Sequence, residues 1–141
     1  MADDLAPRNP DFERAVRESF AKQTFMTTLG AALERVEPGA VDVAVPFSEA
    51  LCQQNGFLHA GVLASVADSA CGYAALTLAA PGQDVLAVEF KINLMRPARG
   101  ARFVARAKVL RAGRTLTVSR ADVFGDGEEL IATMLSTVIA R

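Results

Sequence analysis

Cysteine, histidine, net charge and long apolar runs are all scarce in this chain of 141 residues, and each scarcity removes a class of protein. Two cysteines, Cys52 and Cys71, cannot build a disulfide framework, so a reducing cytoplasm is the expected compartment. One histidine and two unclustered cysteines do not make a zinc site. Fifteen basic against sixteen acidic residues leave a formal charge of −1 and no basic face, so no nucleic-acid partner is expected. The longest apolar run is broken by Asp68 and is rich in Ala and Gly, too weak to span a membrane. The opening "MADDLAPRNP" is acidic and contains proline, unlike a signal or transit peptide. No repeat, low-complexity tract or linker divides the chain. With 51% hydrophobic and 22% charged residues, it reads as one globular domain over residues 1–141, frayed over 1–9.

What is present is organised as α+β. Pro10 to about Gln23 predicts an amphipathic helix with Phe12, Val16 and Phe20 on one face, and "TFMTTLG" adds a short turn ending at Gly30. Two strands then meet at Glu37-Pro38-Gly39, the second marked by Val41, Val43, Val45 and Phe47 in alternation. An apolar helix follows, from Ala60 to about Leu78. Strands fill the remainder. "VLAVEFKINLM" puts Leu86, Val88, Phe90, Ile92 and Leu94 on one side, and Glu89, Lys91 and Asn93 on the other. Turns at Ala112-Gly113 and Asp126-Gly127 separate the last strands. Without βαβ alternation, the simplest arrangement is a curved antiparallel sheet wrapped around one long central helix.

That helix raises a chemical question. In "NGFLHAGVLASVADSACGYAAL" almost every position is apolar except Asp68. A carboxylate there is costly unless it has partners or a task. Ser65 or Ser69 could satisfy it; otherwise it is a base or nucleophile in a mostly dry cleft. At the helix start, His59 could be a turn residue, while the backbone N–H groups of Ala60 and Gly61 are free to hold an oxyanion. Asp68 lies eight residues beyond Ala60. At ~1.5 Å per residue this is about 12 Å along the axis, too far for one helix to supply both groups to one reaction centre. If Asp68 is catalytic, the active unit is a dimer whose helices run antiparallel across a twofold axis.

The pattern "QQNGFLHAGVLASVADSACGYAA", with "LGAALERVEPGAVDVAVPF", "EFKINLMRPARG", "VLRAGRTLTVSRADVF" and "IATMLSTVIA" around it, resembles the PaaI-like hotdog-fold acyl-CoA thioesterases over nearly the whole chain. The resemblance implies a hotdog fold, an acyl-CoA substrate and a homodimer with composite sites, assembled as a homotetramer. It makes Asp68 the catalytic carboxylate, Ala60 the N–H that polarises the thioester carbonyl, and His59 the residue orienting that loop. Gln53 positions the water or substrate, with Asn55 and Gly61 as further substrate contacts. Arg96 and Arg114 are raised as partners for the coenzyme A phosphates, from pairs that also include Arg99 and Arg111. Two positions depart from the pattern: Ala60 stands where the family has Gly, and Ala87 where some members have Ser or Thr, with Ser69 or Thr77 as replacements. No cofactor and no metal is implied. The expected reaction is hydrolysis of a medium-chain or aryl thioester. The alternatives are an enoyl-CoA hydratase or dehydratase using His59 with Asp68, and a non-catalytic acyl-CoA-binding module.

Overall fold

Six strands and three helices account for most of the computed structural model, which describes residues 5–141. The α1 helix (Phe12–Ala21) buries Val16 and packs Phe12 and Phe20 against the core, as the four-residue spacing requires. Helix α2 (Thr24–Leu29) buries Met26 and Leu29 and stops at Gly30, whose φ of 71° is the left-handed cap that glycine adopts without steric cost. Strands β1 (Ala32–Glu37) and β2 (Ala40–Pro46) form the first hairpin. A single 3₁₀ turn and a loop lead into α3 (Ala60–Leu76), followed by β3 (Val85–Leu94), β4 (Arg102–Ala112), β5 (Leu116–Phe124) and β6 (Leu130–Ala140). The frayed start expected for residues 1–9 falls partly on 1–4, outside the described residues. From Leu5 the segment has no helix or strand but is held: Leu5 packs on the core and Arg8 donates to the Leu78 carbonyl at 3.0 Å.

The strands make one antiparallel sheet in the order β1-β2-β4-β5-β6-β3. Helix α3 lies against β2 through β6, so its surroundings are protein on nearly every side. This explains its composition. Ala67, Ala70 and Ala74 are fully buried where the backbone comes close to the sheet, while Leu63 and Val66 fill the wider gaps. The far end of α3 is pinned by Thr77, whose hydroxyl accepts from Gly39 N–H at 2.7 Å and donates to the Ala74 carbonyl at 2.6 Å. Gly39 has φ of 74°, the conformation that the Pro38-Gly39 turn demands.

Strand β3 departs from the alternation in its sequence. Ala87 pairs with Val138 and Glu89 with Thr137, so Val88 is an extra, bulged residue. One inserted residue reverses the facing of all that precede it. Ala87 therefore shares the helix side with Phe90, Ile92 and Leu94, and Leu86 moves to the side of Glu89 and Lys91. β3 is also an edge strand, which leaves Leu86, Val88, Phe90 and Leu94 all about half exposed. A long apolar edge without a partner is a surface that sheet proteins normally cover.

Candidate active site

Asp68 sits at the middle of α3, half-buried, and opens into a cavity of about 210 Å³. Its carboxylate makes no hydrogen bond among the described residues. Ser65 donates instead to the Gly61 carbonyl at 2.6 Å, and Ser69 to Gln23 Oε1 at 3.3 Å. The local satisfaction that could have made Asp68 a structural residue is absent among the described residues. Burial pushes its carboxyl above the ordinary aspartate range, which strengthens it as a base. Cys71, one turn away, is pushed up to about 12 by burial and then by the Asp68 charge. It remains a thiol at neutral pH and is no competing nucleophile.

The entrance of α3 is built by the preceding loop. Cys52 and Leu58 form an isolated antiparallel bridge, His59 N–H donates to the Leu51 carbonyl at 2.9 Å, and Leu58 N–H to the Ala98 carbonyl at 3.2 Å. Gln53 Oε1 accepts from the backbone N–H groups of Asn55 and Phe57, so it braces the turn and leaves its amide N–H₂ available. Asn55 itself is exposed at the turn. His59 is the helix N-cap: its Nδ1 accepts from Gly61 N–H at 2.8 Å. With Nδ1 accepting, the ring N–H is the one on Nε2. That bond also consumes one of the two backbone donors that the sequence offered. Ala60 N–H has no acceptor among the described residues, so the donor left at the positive end of the helix dipole is that of Ala60.

Because this cap is a single side-chain bond, its value is measurable. His59→Ala is expected to cost about 1 kcal/mol of stability, a drop of roughly 3 °C in Tm, and His59→Asn to restore most of it, since Asn caps equally well. A thermal melt in which His59→Ala matches the native protein would contradict the capping role.

Ala60 lines a second cavity, of about 350 Å³, together with Gln53, Phe57, Leu94 and Arg96. It shares no wall residue with the Asp68 cavity. One chain thus separates the Asp68 carboxylate from the Ala60 N–H, as the helical rise requires. Both cavities border the same edge strand: Val85 and Ala87 line the first, Leu94 the second.

The remaining sequence candidates fall as follows. Ala87 does stand beside Asp68 and brings no hydroxyl. Thr77 is committed to Gly39 and Ala74, whereas Ser69 lines the Asp68 cavity. Arg96 is engaged, donating to the Leu130 carbonyl at 2.7 Å and pairing with Glu129 at 3.3 Å. Arg99 is not engaged this way; its guanidinium lies 4.7 Å over the Phe57 ring and has no carboxylate partner among the described residues. Arg114 lines a different cavity, with Arg8, on the other side of Val85. Reading the sequence missed Ser19 and Gln23, which come from α1 and its junction with α2 to wall the Asp68 cavity. Nothing in their spacing marks them, because the contact is made across the fold.

The thioesterase superfamily family model matches residues 55–132. A solved thioesterase family protein from Silicibacter pomeroyi is 51% identical, covers 92% of this chain and 97% of its own, and superposes with a TM-score of 0.88. The medium/long-chain acyl-CoA thioesterase YigI of Escherichia coli is 26% identical, with 80% of this chain and 83% of the relative aligned. The E. coli PaaI structure, at 18% identity, matches in fold with a TM-score of 0.86 over 93% of this chain and 94% of its own. An antiparallel sheet around one central helix, a charged residue in that helix and these similarities lead to one assignment: the chain belongs to the thioesterase superfamily, as a PaaI-like hotdog thioester hydrolase.

Proposed function

We propose that the protein hydrolyses an acyl-CoA thioester with a medium-chain or aryl acyl group, at a site shared between two protomers. The observation that carries this reading is the division of the machinery. A carboxylate and a backbone N–H, each without a hydrogen-bond partner among the described residues, occupy separate cavities at opposite ends of the apolar edge strand β3. If two β3 strands pair antiparallel about a twofold axis, the Ala87 end of one lies beside the Leu94 end of the other. The Asp68 cavity of one protomer then joins the Ala60 cavity of its partner, and the exposed apolar edge is covered in the same step.

In this arrangement Asp68 takes a proton from water as the water oxygen attacks the thioester carbonyl carbon. The carbonyl oxygen becomes an oxyanion facing the partner's Ala60 N–H, whose helix dipole stabilises the new charge. The tetrahedral species collapses, the carbon–sulfur bond breaks, and the proton held by Asp68 passes to the leaving thiolate to give free acid and coenzyme A. Direct attack by the carboxylate uses the same geometry through an anhydride that water then opens. Gln53 offers its free amide to the substrate or the water. Arg99, less committed than Arg96, supplies a cation beside the Ala60 cavity for the coenzyme phosphates, with Arg114 as a more distant one. The name of the E. coli relative supports an acyl-CoA substrate. Half-exposed Leu110, Leu116 and Leu135 leave apolar surface for a second contact, in keeping with a dimer of dimers. Two free thiols fit a reducing cytoplasm.

Thiol release from a panel of acyl-CoAs tests this reading. Turnover of at least one thioester is expected, and its absence across the panel would favour a binding module. Hydration of an enoyl-CoA without thiol release would favour the hydratase alternative.

A further inference from the structure

The cavity that holds Arg8 and Arg114 measures about 410 Å³ and lies past the far end of α3, across Val85 from Asp68. Ala75, Leu78 and Ala79, at the end of α3 and just beyond it, make one wall. Val85, Ala112 and Ala140 make the opposite wall from the ends of the strands. Strand register brings these together: Val85 pairs with Ala140, and Ala112 with Thr117. Alanine on both walls leaves open a space that longer side chains would fill.

Two cations reach the cavity from separate elements, Arg8 from the segment before α1 and Arg114 from the turn between β4 and β5. Neither has a carboxylate partner among the described residues. Arg8 is anchored through Nε, which donates to the Leu78 carbonyl at 3.0 Å. Its two terminal nitrogens have no partner among the described residues, and a guanidinium fork matches a carboxylate. No aspartate or glutamate lines the cavity. Bare carbonyls at the helix end would repel an anion, but these are engaged. Those of Tyr73, Ala75 and Leu76 accept from the N–H groups of Thr77, Leu78 and Ala79, and that of Ala74 from the Thr77 hydroxyl.

The walls select the rest of the ligand. Besides the arginines, Thr117 is the one polar side chain among the lining residues. Inorganic phosphate would leave the alanine walls uncovered, whereas an alkyl chain removes them from water. At ~30 Å³ per non-hydrogen atom, about 410 Å³ holds roughly thirteen, the size of a carboxylic acid of about ten carbons.

We propose that this cavity is a second ligand site, separate from the reaction centre, that binds a straight-chain carboxylate of about ten carbons. Arg8 and Arg114 take the carboxylate, and the alanine-lined walls take the chain. Binding there does not depend on the thioesterase reading. On that reading, the occupant belongs to the class of acid that hydrolysis releases, and Val85 is a wall common to its cavity and that of Asp68.

Calorimetric titration with decanoate, decyltrimethylammonium and acetate reads the charge and the chain separately. Decanoate is expected to bind about tenfold or more tightly than the cation of equal chain length, and than acetate, which lacks the chain. Substitutions then locate the site. Arg8→Gln combined with Arg114→Gln is expected to weaken decanoate binding about tenfold or more. Ala112→Phe, which fills the cavity from an exposed strand end, is expected to weaken it by a similar factor. Asp68→Asn is expected to leave the Kd within about twofold, as a distant and independent site does. A melting curve for each variant keeps loss of fold from being read as loss of the site. No measurable decanoate binding, or equal affinity for the cation or for acetate, would overturn the proposal. So would a Kd that the arginine pair or Ala112→Phe leaves unchanged, or one that Asp68→Asn shifts as much as they do. Absence of thiol release from every acyl-CoA would remove the thioesterase reading and leave these binding results standing.

Discussion

Asp68→Asn is expected to lower kcat by about 10²–10⁴-fold, the contribution of a positioned general base, while leaving Tm at neutral pH equal to the native value or above it. The two halves of this result have one cause. A half-buried carboxylate with no hydrogen-bond partner among the described residues gains nothing from its neighbours there, and its charge is penalised by desolvation. Its folded-state pKa is raised, so between the ordinary aspartate value and the raised one the folded protein binds more protons than the unfolded chain. Stability then falls as pH rises through that window and is restored below it. Asparagine removes the penalty. The Tm advantage of Asp68→Asn should therefore be present at neutral pH and vanish in acid below the ordinary aspartate value. The same shift moves the acid limb of kcat/KM above the ordinary range, because the base works only when ionised. A substantial loss of Tm in Asp68→Asn would reassign the residue to a structural role.

Ala60→Pro is expected to reduce kcat by about 10²–10³-fold, the cost of deleting one oxyanion-hole donor, with Tm unchanged or raised. Proline is usually destructive in a helix, but Ala60 is the first helical residue, where the missing N–H has no helical acceptor and the φ of an α-helix lies near that of proline. The residue before a proline must be extended, and His59 already is, at φ −61° and ψ 139°. The substitution thus removes the donor and little else. Ala60→Gly keeps the donor, so only a modest loss is expected from it. Similar kcat values for Ala60→Pro and Ala60→Gly would show that the N–H does not meet the oxyanion.

Much of this site is legible in the sequence. The apolar surround of Asp68 follows from composition, since a helix with almost no polar face must be enclosed, and the split between Asp68 and Ala60 follows from helical rise alone. Alternation and turn residues located the strands of the sheet. Three features were not legible. The bulge at Val88 depends on how β3 pairs with β6, and the local sequence alternates smoothly through it. The commitment of Gly61 N–H to His59 depends on a rotamer, so two backbone donors looked equivalent when one was already used. The polar end of the Asp68 cavity is assembled by Ser19 and Gln23 from about 50 residues away in sequence, and no periodicity reports such a contact.

The central claim is that Asp68 of one protomer works with Ala60 of another, and mixing two inactive proteins tests it directly. The Asp68→Asn and Ala60→Pro proteins are combined in equal amounts, allowed to exchange protomers, and assayed for thiol release. In a mixed dimer, the Asp68 of the Ala60→Pro protomer meets the intact Ala60 of the other, which restores one complete site, while the second site carries both lesions. With random exchange half the dimers are mixed, so about a quarter of native specific activity should return. A mixture no more active than its two components, after exchange of protomers has been verified, would mean that each chain completes its own site and that the shared-site account is wrong.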